Sequence, residues 1–265
     1  MTTDFTTQLP TVLVAGVFAS LGASLLGNFV VLQRVSLAAD VLSHVALPGI
    51  AVALALRIHP LFGAGAFLLI AALALWKLEK RTHLPYDTLV GILFSVTLAA
   101  GQLLFAGGSG EELLEALFGS LNRATTLDAI AAVAVGLTIA CAIAVGYRPF
   151  VLSLVSPDLA RVQGIKADRM KLIFLLLLAL AVAAGIAVTG ILFVGALLIF
   201  PAAISGNLSR GLRSALATSV ASGVGSAVLG ITIGASLSAD PGAIIILILA
   251  ALFAVSLPLR NRLLV

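Results

Sequence analysis

Two ionisable residues stand inside an apolar stretch: Asp40 and His44, in Ala38-Ala39-Asp40-Val41-Leu42-Ser43-His44. Four positions apart on a helix, they share one side and lie one turn from each other. An ionisable side chain among apolar neighbours in a membrane is costly and marks a site or a pathway. A carboxylate oxygen and an imidazole nitrogen suit Zn²⁺, Mn²⁺ or Fe²⁺. Two ligands do not fill a shell, but a twofold homodimer with this helix at its axis brings two Asp and two His together. Four such ligands complete a tetrahedral shell, and a shell that loses partners as the dimer opens releases its ion. The plainer alternative leaves Asp40 near the membrane interface and gives His44 a backbone carbonyl as partner. Pro48 follows His44 by four residues, with Gly49 next. A proline there removes the backbone bond to the His44 carbonyl and favours a kink. The kink either frees that carbonyl as a further oxygen donor or serves packing alone.

A second informative segment runs from Arg148 to Lys171. Ser156-Pro157-Asp158 reads as a helix start, with Ser as N-cap, Pro in the first turn and an acid at the positive helix end. Gly164 is a stop. The two-turn helix between them carries Leu159, Ala160, Arg161 and Val162. It either docks on a partner protein or lies on the bilayer surface. His59 and His83 stand beside Pro60 and Pro85 and read as interfacial turn residues. No G-x-x-x-x-G-K-[ST], H-E-x-x-H or G-x-S-x-G occurs. A phosphate cradle, an intramembrane zincin and a nucleophile-elbow hydrolase are therefore not expected. The lone Cys141 excludes an intrachain disulfide and a CxxC metal site.

The elements that carry these residues follow from composition. The chain has 265 residues, 61% hydrophobic and only 10% charged. A soluble domain carries about 25% charged residues, so this chain is expected to be a single all-α domain over residues 1–265, a polytopic transmembrane bundle. That excludes a secreted enzyme and a nucleic-acid module. Apolar runs occupy residues 12–32, 37–56, 60–76, 88–105, 127–147, 172–209, 212–235 and 242–258. About 20 apolar residues cross the bilayer core. The sixth run has 38 residues without a charged side chain and as one helix would reach roughly 57 Å. It must turn back, with Gly185, Gly190 and Gly195 as candidate breaks. Eight or nine spans result, according to whether the segment after the break crosses fully or is re-entrant. No Lys or Arg precedes Arg34, so the first run lacks the basic flank of a signal peptide and is expected to remain.

The net charge of +4 comes from basic groups at the ends of these runs: Lys77, Lys80 and Arg81; Arg148, Arg161, Lys166, Arg169 and Lys171; Arg210 and Arg213; Arg260 and Arg262. The positive-inside rule places all four groups in the cytoplasm. The segment 107–126, with Glu111, Glu112 and Glu115 against Arg123, then lies outside. With nine crossings the N-terminus is outside and the C-terminus inside. Ser222, Ser226, Gly230 and Gly234 share one helix face, which suits ordinary close packing or a dimer contact.

Three segments together resemble the membrane permease of bacterial ABC importers for zinc, manganese or iron. They are Leu26-Gly27-Asn28-Phe29-Val30-Val31-Leu32-Gln33-Arg34 running on to Asp40 and Gly49; Ser156-Pro157-Asp158-Leu159-Ala160 ending in Gly164; and Gly190 to Ala203 with Leu197-Leu198-Ile199-Phe200-Pro201-Ala202-Ala203. Asp87-Thr88, Gly91-Ile92 and Leu117-Phe118-Gly119 add weaker matches. The resemblance implies a homodimer in the inner membrane, two copies of a separate ATPase that uses the ATP, and a periplasmic or lipoprotein binding protein that delivers the ion. It implies no enzyme activity, no bound cofactor and no nucleic-acid partner, only a transported divalent metal, zinc before manganese or iron. Asp40 and His44 match the acid and histidine of the family's second span, with Asn28 and Pro48 as further pathway positions. Ser156, Pro157, Asp158, Leu159, Ala160, Arg161 and Gly164 match its coupling helix. Ser120 departs from the acid expected after the Phe-Gly pair. Glu111, Glu112 and Glu115 then supply the negative charge of the loop that meets the binding protein. The competing expectations are a permease for chelated iron or a corrinoid, and a secondary metal transporter driven by an ion gradient.

Overall fold

The computed structural model describes residues 5–82, 84–105, 125–237 and 239–263, all helix and short connections. His83, the Leu117-Phe118-Gly119 match, Ser120, Arg123 and the three glutamates Glu111, Glu112 and Glu115 lie outside the described residues. Ten helices follow one another: α1 (Phe5–Leu32), α2 (Ser36–Ala55), α3 (Pro60–Arg81), α4 (Tyr86–Phe105), α5 (Thr126–Val155), α6 (Pro157–Val162), α7 (Ala167–Thr189), α8 (Ile191–Leu208), α9 (Leu212–Leu237) and α10 (Pro241–Leu263). Seven of them, α1, α3, α4, α5, α7, α9 and α10, are long and apolar enough to cross a membrane, whereas α2 and α8 hold shorter apolar stretches. Helices are the form such runs must take, because lipid offers no partner to an unpaired backbone group. The same setting tolerates the interior prolines Pro10, Pro48, Pro149, Pro201 and Pro258.

Helix α1 runs through the centre, against α5, α7, α8 and α9. Helix α2 packs on α3, α4 and α8, and α10 covers α8 and α9. Leu26, Phe29, Leu42, Leu68, Leu75, Phe174, Leu178, Leu197 and Leu198 form the fully buried centre. Gly49 of α2 and Gly63 of α3 meet directly: a methyl group on either would stand 2.3 or 2.1 Å from the other's carbonyl oxygen. This is the close backbone approach that small residues permit between membrane helices. The Gly230 and Gly234 face is likewise used inside the chain, against Ile245 and Pro241 of α10.

Two expectations change. Among the three candidate breaks only Gly190 interrupts the long run; its φ of 74° is a conformation that favours glycine. Gly185 and Gly195 stay helical, and both admit a neighbour's side chain. The fifth span does not stop at Tyr147 but continues to Val155. Its buried face carries on past Arg148-Pro149 through Phe150 and Leu154, and the Phe150 ring meets Phe29 edge to face at 5.7 Å.

Candidate metal pathway

Helix α2 presents Asp40 and His44 one turn apart, both half-buried. Ser43 Oγ donates back to the Asp40 carbonyl at 2.6 Å, so this hydroxyl is spent on its own helix. The Asp40 carboxyl lies against α8, where a methyl group on Gly195 would stand 2.3 Å from Oδ1. The His44 ring sits edge to face on Phe94 of α4, with centroids 5.5 Å apart. The pair thus lies on one helix but is shaped by two others. Pro48 is buried further along α2, beside Gly101 of α4. Asn28 is buried on α1; its Nδ2 donates to the Ser24 carbonyl, and its Oδ1 accepts from Ser205 Oγ of α8 at 2.9 Å. It therefore ties α1 to α8. Among the described residues no group of three or more His, Cys, Asp or Glu comes together to hold a metal ion. On α2 the chain thus brings together two potential donor side chains, Asp40 and His44, and no third joins them among the described residues.

At one end of the bundle α6 packs between α5 and α7. Ser156 is the joint: its N–H bonds back to Leu152 and its carbonyl accepts from Ala160, while its side chain makes no capping bond. Ala160 is buried inward, and Leu159 and Val162 are 49% and 84% exposed. Arg161 pairs with Asp158 at 3.1 Å, and Gly164 leaves the helix at φ 75°. Beside α6 a clamp joins α3 to α7, a feature the sequence showed only as scattered charge. Lys80 pairs with Asp168 at 3.1 Å, Lys171 pairs with Glu79, and Trp76 Nε1 donates to the Asp168 carbonyl at 3.0 Å. Lys80 also lies over the Trp76 ring at 4.1 Å. Gln33, Trp76, Ser153, Pro157 and Arg161 line a cavity of about 270 Å³ there.

At the opposite end His59 caps α3, its Nδ1 accepting from Leu61 N–H at 3.4 Å. Its Nε2 faces Thr125 Oγ1 at 3.3 Å and Asp128 Oδ2 at 3.7 Å. Thr125 and Asp128 form a reciprocal capping box at the start of α5. His59 is thus a turn residue, as its proline neighbour implied.

Apolar helices around the half-buried Asp40 and His44, with a short helix at one end whose outer face is exposed, are the architecture of a membrane permease. It is a multi-pass protein of the inner membrane. The chain belongs to the ABC 3 transport family, which it matches over residues 6–260. It is 32% identical over 254 residues to the high-affinity zinc uptake system membrane protein ZnuB of Haemophilus influenzae, covering 95% of this chain and 97% of that one. It is 31% identical over 202 residues to the manganese transport system membrane protein MntC of Halalkalibacterium halodurans, covering 76% of this chain and 69% of that one. In structure it resembles PsaBC from Streptococcus pneumoniae, solved in complex with Fab, with a TM-score of 0.83 and 27% identity over 97% of this chain and 95% of the other.

Proposed function

We propose that this chain is the translocation subunit of an ATP-driven importer of a divalent metal ion, zinc first, manganese or iron next. The observation that carries the reading is the Asp40–His44 pair: two donors, half-buried on one helix, with no third ligand nearby among the described residues. A second copy across a twofold axis would complete the shell, and opening the dimer would empty it. The relatives named for zinc, manganese and iron transport lend support to a bare ion as cargo.

The exposed Leu159 and Val162 of α6 fit the groove of a separate ATPase, two copies per dimer. ATP is consumed there and not by this chain. The basic groups near α6 support a cytoplasmic position for that end. If α2 and α8 both cross, nine crossings leave the N-terminus outside. The segment with Glu111, Glu112 and Glu115 then faces a metal-binding protein. In this scheme ATP binding and hydrolysis switch the bundle between two states of differing metal affinity.

The test is a host lacking this gene, grown under metal limitation and complemented with wild type, Asp40→Ala or His44→Ala. Total zinc, manganese and iron are then measured by mass spectrometry. The expected result is selective loss of one metal, restored by wild type alone. Variants that insert normally and import at the wild-type rate would sink the proposal. Restoration by chelated iron only would favour the chelate permease, and uptake without any ATPase a gradient-driven transporter.

A further inference from the structure

We infer that Gly195 is a positioning residue of the metal pathway: the bare face of α8 at this point sets where the Asp40 carboxylate lies, and through it which ion is passed. The inference rests on the reading of Asp40 as a metal ligand.

The geometry is specific to the carboxylate. A methyl group on Gly195 would meet Asp40 Oδ1 at 2.3 Å, Cα at 3.1 Å and Cβ at 3.2 Å. Among the described residues no hydrogen bond or ion pair holds that carboxylate; the only bond at Asp40 beyond the helix ladder is to its backbone carbonyl. Its direction is therefore set by the shape of the surface it rests on. An added methyl removes that seat. The oxygen, at the free end of a side chain, rotates away, and the 3.1 and 3.2 Å contacts are relieved by a few tenths of an ångström. The helices can thus still pack while the ligand is displaced. A bound metal holds its ligands to within about 0.2 Å of their proper distances, well below the displacement forced here. The imidazole is held separately, by Phe94 of α4, so the substitution moves one ligand and leaves the other.

Gly185 supplies a matched control. A methyl group there meets Val194 Cγ2, also at 2.3 Å and also a side-chain end, on the same α7–α8 hairpin, and touches no atom of Asp40. Cells lacking the gene are complemented with wild type, Gly195→Ala, Gly185→Ala, Asp40→Glu or Asp40→Ala. They are supplied with an equimolar limiting mixture of zinc, manganese and iron, with the permease in the membrane quantified by immunoblot. Groups that orient a metal ligand are worth about 10–100-fold. Gly195→Ala is therefore expected to lower uptake of the metal the wild type favours by about tenfold or more and so to change the ratio of accumulated metals, with Gly185→Ala at the wild-type ratio. Asp40→Glu moves the carboxylate by one methylene and leaves Gly195 untouched. It is expected to change the ratio too, so that the inference stays refutable through Asp40 if Gly195→Ala does not reach the membrane. Equal scaling of all three metals in both glycine variants, or a wild-type ratio in Asp40→Glu, overturns the inference and leaves the proposed function standing. Wild-type import by Asp40→Ala overturns both.

Discussion

Replacing Gly27 with alanine probes the contact on which the centre of the bundle depends. A methyl group at Gly27 would stand 1.9 Å from the Leu198 carbonyl oxygen, whereas ordinary contact begins at 3.4 Å. That oxygen belongs to helix backbone and cannot swing aside, so α1 and α8 must separate by about 1.5 Å at a site packed to crystal-like density. One residue on, Asn28 and Ser205 are joined at 2.9 Å, and the same separation breaks their bond. Overpacking costs about 1–3 kcal/mol, and an interhelical polar bond in a membrane protein is worth about 0.6 kcal/mol on average. The combined loss is about 2–4 kcal/mol. At about 2–4 °C per kcal/mol for a chain of this size, melting should fall by on the order of 5–15 °C. The assay is the monodisperse fraction left after heating detergent-purified protein. Gly65→Ala is the control, since nothing lies within 4 Å of its methyl position; it should not melt lower. A Gly27→Ala protein melting within about 1 °C of wild type, or a control that falls as far, refutes the reasoning.

Asp128→Ala removes the carboxylate that accepts from the Thr125 N–H and hydroxyl in the α5 capping box and that faces His59; a cap loss of about 0.5–2 kcal/mol should appear as a lower melting temperature, and an unchanged one would show the cap is idle. Burial raises the Asp240 carboxyl above its ordinary value, against the lowering by the Gly242 and Ala243 N–H groups. Because the folded form holds its proton more tightly, its contribution is fully present below the unfolded value of 3.8 and is lost as pH rises through the folded one. Asp240→Asn keeps an acceptor for Gly242 and should melt at or above wild type at neutral pH, with the difference shrinking towards pH 3.8; a variant less stable at neutral pH contradicts this. Leu159→Glu places a charge on the exposed face of α6 and is expected to abolish co-purification of the ATPase without lowering the melting temperature. Retention of the ATPase would move the docking surface elsewhere.

Most of the helices were readable because uninterrupted apolar runs of this length have few other folds available. Boundaries were harder where local signals conflict with packing. Arg148-Pro149 reads as an end, yet Phe150 and Leu154 continue the buried face and the helix continues with them. Three glycines competed for the turn in the sixth run, and only the backbone dihedral of Gly190 separates the joint from the two that serve contact. Asp40 and His44 could be read from charge among apolar neighbours, and α6 from its proline, acid and glycine. The partners that shape the pair, Gly195 and Phe94, come from other helices and carry no ionisable group, so nothing local marks them. The Glu79–Lys171 and Lys80–Asp168 pairing was hidden for a related reason: positions of like and unlike charge were visible, but which ends of which helices meet is a property of the assembled bundle.

The joint at Gly190 has a mechanical consequence. Helices α7 and α8 are linked by this single residue, so neither can slide far along the other and relative motion between them is confined to bending at Gly190. The longer of the two, α7, begins beside α6 and is pinned to α3 through Asp168 and Lys171. The shorter, α8, rests on Asp40 through Gly195. The path from the foot of α7 to the surface beneath the Asp40 carboxylate thus runs through helix and one glycine, with no loop between the two.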